Sequence, residues 1–162
     1  MTTSSQIPNP ESQVAALFIA TVAGIGHIPV APGTFGTAAG LLVWTLLPAA
    51  PIAHVVAIIT IFIVGSWSGG VAERQLGRSD PGCVVIDEVL GMLMTLFLNP
   101  VGWRGAAAGF LLFRALDIIK PYPARRLERL HGGVGVMADD AMAAVYANMV
   151  LRGCLWAWGR AS

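Results

Sequence analysis

Two adjacent acidic residues, Asp87 and Glu88, lie inside an otherwise apolar stretch of the chain at 80–92. An ionised side chain that leaves water without a partner is costly, about 2.5–3.5 kcal/mol for Asp near the middle of a membrane helix on insertion scales. A metal ion or a chemical task would explain the placement. The structural alternative is a pair at a membrane surface that faces water or an arginine.

Other acids are grouped in the same half of the chain, where Asp139 and Asp140 are again adjacent. Hard oxygen ligands from several carboxylates suit Mg²⁺, which usually takes one or two carboxylates together with waters and substrate phosphate. Calcium or manganese would fit such ligands almost as well. We predict a magnesium site with six candidate ligands: Asp80, Asp87, Glu88, Asp117, Asp139 and Asp140.

The composition indicates a membrane protein. Of the 162 residues 56% are hydrophobic and 12% are charged, whereas ordinary soluble domains contain roughly 25% charged residues. We predict an all-α fold, a compact integral-membrane helical bundle with four to five membrane segments at 14–162, preceded by a polar tail at 1–13. A very apolar soluble helical protein is the alternative. The net charge of +1 provides no field for nucleic acid.

Apolar runs and breakers divide the membrane domain. We predict helices at 36–47, 52–71, 84–98 and 105–119 and a final helix from Asp139 to about residue 158. Lys120 should end the fourth of these, because the residue before a proline is pushed out of the helical region. Glu73 and Arg74 should lie in an aqueous loop.

Helix lengths place the acids at one level. The segments at 84–98 and 105–119 form an antiparallel hairpin, and at 1.5 Å per residue Asp87 and Asp117 lie about 18 and about 22 Å above its turn. Asp139 and Asp140 follow the polar 120–131 stretch and enter at the same face. Loop charges place the 73–80 and 120–131 stretches on the cytoplasmic side. The acids should therefore meet near one cytoplasmic rim.

Glycine-rich stretches and two cations accompany the acids. The stretch at 24–36 predicts a loop that could cradle a phosphate, and Thr34 or Thr37 could cap the next helix. Arg114 and Lys120 are each three residues from Asp117 and could hold an anionic group, or could form an ion-pair ladder with it. Asp139 could instead be a helix N-cap. The candidate substrate-binding residues are Thr34, Arg114, Lys120, Gly132 and Gly133.

The motifs match a known family. The matching stretches are GIGHIPVAPGTFGT (24–37), DPGCVVIDEVLGM (80–92), FRALDIIKPYPARRLE (113–128) and HGGVGVMADDAMA (131–143), about 60 of 162 residues. In these the chain resembles phosphatidylglycerophosphatase A, an integral-membrane lipid phosphatase of bacteria. The resemblance implies Mg²⁺-dependent hydrolysis of phosphatidylglycerophosphate to phosphatidylglycerol and phosphate. It also implies a multi-pass protein of the bacterial inner membrane with its active site facing the cytoplasm.

Catalytic roles follow as a hypothesis. Asp87, Glu88, Asp139 and Asp140 would share the metal site, and a metal-activated water would attack the phosphate in line. A covalent aspartyl-phosphate route stays open, as does the oligomeric state.

Two other function classes fit parts of the pattern. One is another enzyme acting on phospholipid head groups, and the other is a small divalent-cation transporter lined by the same acids. A transporter predicts acids spread through the membrane depth, whereas the helix lengths gather them at one rim.

Overall fold

The computed structural model describes residues 9–127, 130 and 132–161. These residues are helical throughout their regular structure and contain no strand. In chain order the helices are α1 Pro10–Ala20, a 3₁₀ turn at Ile25–His27, α2 Pro32–Leu46, α3 Pro51–Leu76, α4 Ile86–Leu96, α5 Trp103–Ile119, α6 Ala124–Leu127 and α7 Gly133–Ala161. The all-α prediction is confirmed.

Helix α4 is the centre of the bundle. It packs against α2, α3, α5 and α7, and nine of its eleven residues are buried. Gly40 of α2 and Gly91 of α4 mark close approaches, because a Cβ at Gly40 would lie 2.8 Å from Met92 Cβ and one at Gly91 would overlap the Phe113 ring. Helix α4 is therefore held by neighbours on every side, and residues in its first turn have fixed positions.

Two helices, α3 at Pro51–Leu76 and α7 within Gly133–Trp158, are long and apolar enough to span a membrane among the residues described. The others have 15, 11 and 17 residues in α2, α4 and α5, and a span needs about 20. Large apolar side chains nevertheless lie on the outside of the bundle, such as Leu42, Ile63 and Leu111. An apolar exterior of this kind is typical of a protein surrounded by lipid.

Three predicted boundaries are wrong. Helix α7 begins at Gly133, not at Asp139, because Gly133 lies directly against the backbone of α3 at the Ser66 carbonyl. Tertiary contact thus overrides the poor helix propensity of glycine. Asp139 lies beyond the first turn and is not the N-cap.

Helix α3 continues to Leu76, so Glu73 and Arg74 belong to the helix, not to a loop. Helix α2 begins at Pro32, a residue type well suited to the first helical turn. Thr37 therefore lies inside α2 and its hydroxyl donates to the Gly33 carbonyl at 2.9 Å. No side-chain hydrogen bond caps α2, so the predicted threonine cap is wrong.

The end of α5 is confirmed, since the helix stops at Ile119, immediately before Lys120. The turn between α4 and α5, which contains Asn99 and Pro100, is also confirmed. These two boundaries place the first turn of α4 beside the last turn of α5.

Candidate metal centre

Three helix ends bring the acidic residues together. Asp87 and Glu88 lie in the first turn of α4, Asp117 in the last turn of α5, and Asp139 and Asp140 in the second turn of α7. Asp87, Asp117, Asp139 and Asp140 are 7%, 8%, 3% and 3% exposed. The side chains that were predicted to share one level lie together between the helix ends at one end of the bundle.

Asp87, Glu88 and Asp140 form the closest group of oxygens. One carboxylate oxygen from each lies within 4.8 Å of the other two. Three carboxylate oxygens at this separation can contact one small divalent cation, which binds oxygens at about 2.0–2.6 Å depending on the metal, after only small side-chain adjustments. This triad is the best candidate metal site among the residues described.

Arg114 neutralises one side of the group. Its Nη1 donates to Asp117 Oδ2 at 2.7 Å and lies 3.5 Å from Glu88 Oε1. The predicted ion pair three residues apart on α5 is therefore present, and the same guanidinium also connects α5 to α4. Because Glu88 has this partner, the alternative in which the acidic pair faces an arginine holds for Glu88.

Lys120 neutralises the other side. Its Nζ donates to Asp139 Oδ2 at 2.5 Å. The sequence spacing indicated Asp117 as a neighbour of Lys120, and the ion pair with Asp139 joins the end of α5 to α7. Lys120 has a positive φ of 45° directly after the last residue of α5, where the chain leaves the helix.

The cations do not balance the acids. Asp87, Glu88, Asp117, Asp139 and Asp140 face two cations, Arg114 and Lys120, among the described residues. An excess of carboxylates in one site favours a shared proton or a bound cation.

Several buried polar atoms of the group also have no hydrogen-bond partner within the part of the chain that the structure describes. They are Glu88 Oε2, Arg114 Nε, Asp139 Oδ1 and Asp140 Oδ2. Buried polar atoms are almost always paired in folded proteins. Unpaired carboxylate oxygens in a site with excess negative charge fit a bound divalent cation, and the donor set consists of the hard oxygens that Mg²⁺ prefers.

Asp80 lies at the edge of the group. It is exposed, has a φ of 44°, and its backbone N–H donates to Glu73 Oε1 at 3.0 Å. Its carboxylate acts electrostatically on Asp87 but is not part of the close triad. Its predicted role as a ligand stays a prediction.

The other residues that were predicted to bind the substrate are Thr34, Gly132 and Gly133. Thr34 is half-buried in the first turn of α2. Gly132 has a φ of +86° and open space around it, whereas Gly133 is buried against α3. Close packing against α3 is by itself a sufficient reason for a glycine at position 133. The substrate-binding roles of Thr34, Gly132 and Gly133 stay predictions.

Two residues beside the group were not singled out from the sequence. Glu73 Oε1 accepts hydrogen bonds from Ser79 Oγ at 3.1 Å and from the Asp80 backbone, and so fixes the loop that carries Asp80. Gly33 lies against Glu88 and Arg114. Residue type alone indicates neither contact. The Gly33 contacts join segments far apart in the chain, and the Glu73 bonds depend on how the loop after α3 folds back onto the helix.

Comparison with known proteins agrees with the resemblance of the sequence motifs. Residues 18–155 match the family described as Phosphatidylglycerophosphatase A. The chain belongs to the phosphatidylglycerophosphatase A family. The matched region contains every acid of the candidate metal centre.

Individual relatives cover most of this family member. Phosphatidylglycerophosphatase A of Escherichia coli (strain K12) is 37% identical over 131 residues, 79% of this chain and 76% of the relative. The Haemophilus influenzae protein of the same name is 34% identical over 151 residues, 88% of this chain and 93% of the relative. A Bacteroides thetaiotaomicron protein named provisionally as a phosphatidylinositol-3-phosphatase is 35% identical over 152 residues, 88% and 95% of the two chains. No solved structure matches the chain significantly.

Proposed function

We propose that this chain is a Mg²⁺-dependent lipid phosphatase that hydrolyses the terminal phosphomonoester of phosphatidylglycerophosphate to phosphatidylglycerol and phosphate. Membership of the phosphatidylglycerophosphatase A family supports the substrate. The observation that carries the chemistry is the triad Asp87, Glu88 and Asp140, with oxygens within 4.8 Å of one another and more acids than cations around it among the described residues.

The triad would hold the cation, and Asp117 and Asp139 would complete its surroundings. A divalent cation in such a site stabilises charge on phosphoryl oxygens and lowers the pKa of bound water. Glu88 is held by Arg114 and Asp139 by Lys120. These pairs would fix both carboxylates before the substrate arrives, so that little reorganisation is needed during the reaction.

Arg114 and Lys120 would also bind the phosphate. Arg114 Nε is buried without a partner, and a guanidinium can bind phosphate oxygens through two N–H groups. Lys120 would contribute a point charge. Both cations are already anchored by carboxylates, which would hold them in place for an incoming anion.

The proton from the attacking water would go to Asp139. Its Oδ2 is bonded to Lys120 while its Oδ1 is buried without a partner, so one oxygen is available to accept a proton. The water oxygen would form a bond to phosphorus, and the bond to the glycerol oxygen would break. The glycerol oxygen would leave with that electron pair and take a proton from solvent.

The protein would be a multi-pass protein of the bacterial inner membrane, with four to five membrane segments. Helices α3 and α7 have the required length and composition, and the exposed apolar residues would contact acyl chains. The acids lie at one end of the bundle, which would be the cytoplasmic end. The acyl chains of the substrate could then stay in the bilayer while the phosphomonoester reaches the metal centre.

The test is phosphate release from phosphatidylglycerophosphate by purified protein in detergent, with Mg²⁺ and with a chelator. Wild type should release phosphate only with the divalent cation, and Asp87→Asn should be inactive. Glu11→Gln is the matched control, because Glu11 is exposed in the first turn of α1, outside the metal centre. Full activity in the chelator, or full activity of Asp87→Asn, would refute the proposed mechanism.

A second substrate is favoured by one observation, the provisional name of the Bacteroides thetaiotaomicron relative. A 3-phosphorylated phosphatidylinositol carries the same reacting group, a phosphomonoester on a lipid head group. The same assay with this lipid would compare the two kcat/KM values. A higher kcat/KM for the inositol lipid would make it the preferred substrate in place of phosphatidylglycerophosphate. The proposed metal centre would be unaffected by that result.

A further inference from the structure

Gly33 lies where the first turn of α2 meets the charged group. It is buried, and a Cβ built on it would overlap Glu88 Oε1 and lie 2.9 Å from Arg114 Nη2 and 3.0 Å from Arg114 Nη1. A side chain of any size therefore cannot fit without moving the carboxylate, the guanidinium or the helix.

Gly33 differs from Gly40 of the same helix in what it packs against. Gly40 lies on the same side of the helix, and a Cβ there would meet Met92 Cβ at 2.8 Å and the Val89 carbonyl oxygen at 2.9 Å. Gly40 thus permits close packing of two helices at an apolar contact. Gly33 permits close packing against the two ionic side chains that border the candidate metal site.

Glu88 consequently has contacts on two sides of its carboxylate. Arg114 lies 3.5 Å from Oε1, and the backbone of α2 at Gly33 covers the same oxygen. The other oxygen, Oε2, is buried and has no hydrogen-bond partner. This arrangement leaves Oε2 available for a cation and restricts the rotation that would remove it.

We propose that Gly33 is a positioning residue of the metal centre, which fixes the Glu88 carboxylate between Arg114 and the bound cation. The proposal depends on the proposed metal-dependent function. A methyl group at position 33 would displace Glu88 Oε1, break its alignment with Arg114 and change the spacing of the triad with Asp87 and Asp140. Residues that orient metal ligands typically change metal affinity by about 10–100-fold when they are substituted.

The experiment compares Gly33→Ala with Gly40→Ala, a matched substitution in the same helix. Equilibrium binding of Mn²⁺ to each purified protein is measured from the electron paramagnetic resonance signal of the free ion, together with the melting temperature. Both variants should melt below wild type, because both Cβ atoms meet close neighbours. Only Gly33→Ala should bind Mn²⁺ about tenfold or more weakly, and Gly40→Ala should stay within about twofold of wild type.

A double variant tests the contact itself. Glu88→Asp shortens the acidic side chain and makes room for a methyl group at position 33. In the double-mutant cycle, Gly33→Ala should therefore weaken Mn²⁺ binding less in the Glu88→Asp background than in wild type. If Gly33→Ala does not fold, the double variant should recover folded protein, and failure to recover it would overturn the proposal.

Two outcomes separate the proposals. Equal Mn²⁺ affinities of Gly33→Ala and Gly40→Ala, with wild type binding the ion, would overturn the role of Gly33 alone. Absence of Mn²⁺ binding by folded wild type would instead refute the metal centre on which it depends.

Discussion

The two ends of the packed pair α4 and α7 treat their polar groups differently. At one end Asp140 Oδ2 and Glu88 Oε2 are buried without partners. At the other end Asn148 Nδ2 donates to the carbonyl oxygens of Met94, Thr95 and Phe97 at 3.0, 3.0 and 2.8 Å. The same two helices therefore carry one unsatisfied and one satisfied polar cluster.

This difference indicates that the two polar clusters have different roles. The last carbonyl groups of any helix lack intrahelical partners. At the end of α4, Asn148 donates hydrogen bonds to these carbonyls. Arg152 Nε adds a bond of 3.4 Å to Asn99 Oδ1 in the adjoining turn. The Asn148 end contains paired groups, whereas at the acidic end five acids face two cations among the described residues. We infer that the Asn148 end holds the two helices in register and that the acidic end binds a ligand.

Substitution of Asp140 should give the largest effect. Asp140→Asn keeps the shape of the side chain but removes a charge from the triad, and we expect phosphate release to fall at least about 10³-fold, as for loss of a principal electrostatic group in an active site. The melting temperature without metal should stay the same or rise, because an unpaired buried charge is removed. Phosphate assays and thermal unfolding check both. A stable, fully active variant would show that Asp140 is not part of the site.

Substitution of Arg114 should give an intermediate effect. Arg114→Met removes the partner of Glu88 and Asp117, and activity should fall about 10²-fold. Stability without metal should also fall by about 1–3 kcal/mol, since a buried ionic network loses its cation. Saturating Mg²⁺ should restore part of the melting temperature by neutralising the same acids. Unchanged stability would contradict the assignment of Arg114 as a structural partner of the group.

Substitution of Asn148 should have the smallest effect on activity. Asn148→Leu removes the side-chain hydrogen bonds to the carbonyls of Met94, Thr95 and Phe97, so the free energy of unfolding should drop by about 1–3 kcal/mol. The kcat of the folded fraction and the Mg²⁺ requirement should stay within about twofold of wild type. Denaturant unfolding and assays at low temperature measure the two separately. A selective loss of metal affinity would erase the distinction between the two ends.

Much of this architecture could be predicted from local pattern. The Lys120–Pro121 step ends α5, and the helix lengths on either side of the turn place Asp87 level with Asp117. The rise per residue of a helix and the restriction of the residue before proline are sufficient to predict both features. They predicted the convergence of the acids but not their individual partners.

Contacts between distant segments could not be predicted in this way. The start of α7 at Gly133 depends on its fit against α3, while its glycines by themselves favour a loop. The ion pair between Lys120 and Asp139 depends on how α5 and α7 are rotated against each other. The contacts of Gly33 likewise cannot be predicted from the sequence, because they form only when α2 packs on α4.

The central claim is that the acids of α4, α5 and α7 form one divalent-cation pocket. An experimental structure determined with Mn²⁺, with the metal located by its anomalous scattering, tests it most directly. The account predicts a single strong peak about 2.0–2.6 Å from oxygens of Asp87, Glu88 and Asp140. A peak elsewhere, or no peak with each of these carboxylates bonded to its own protein partner, would contradict it.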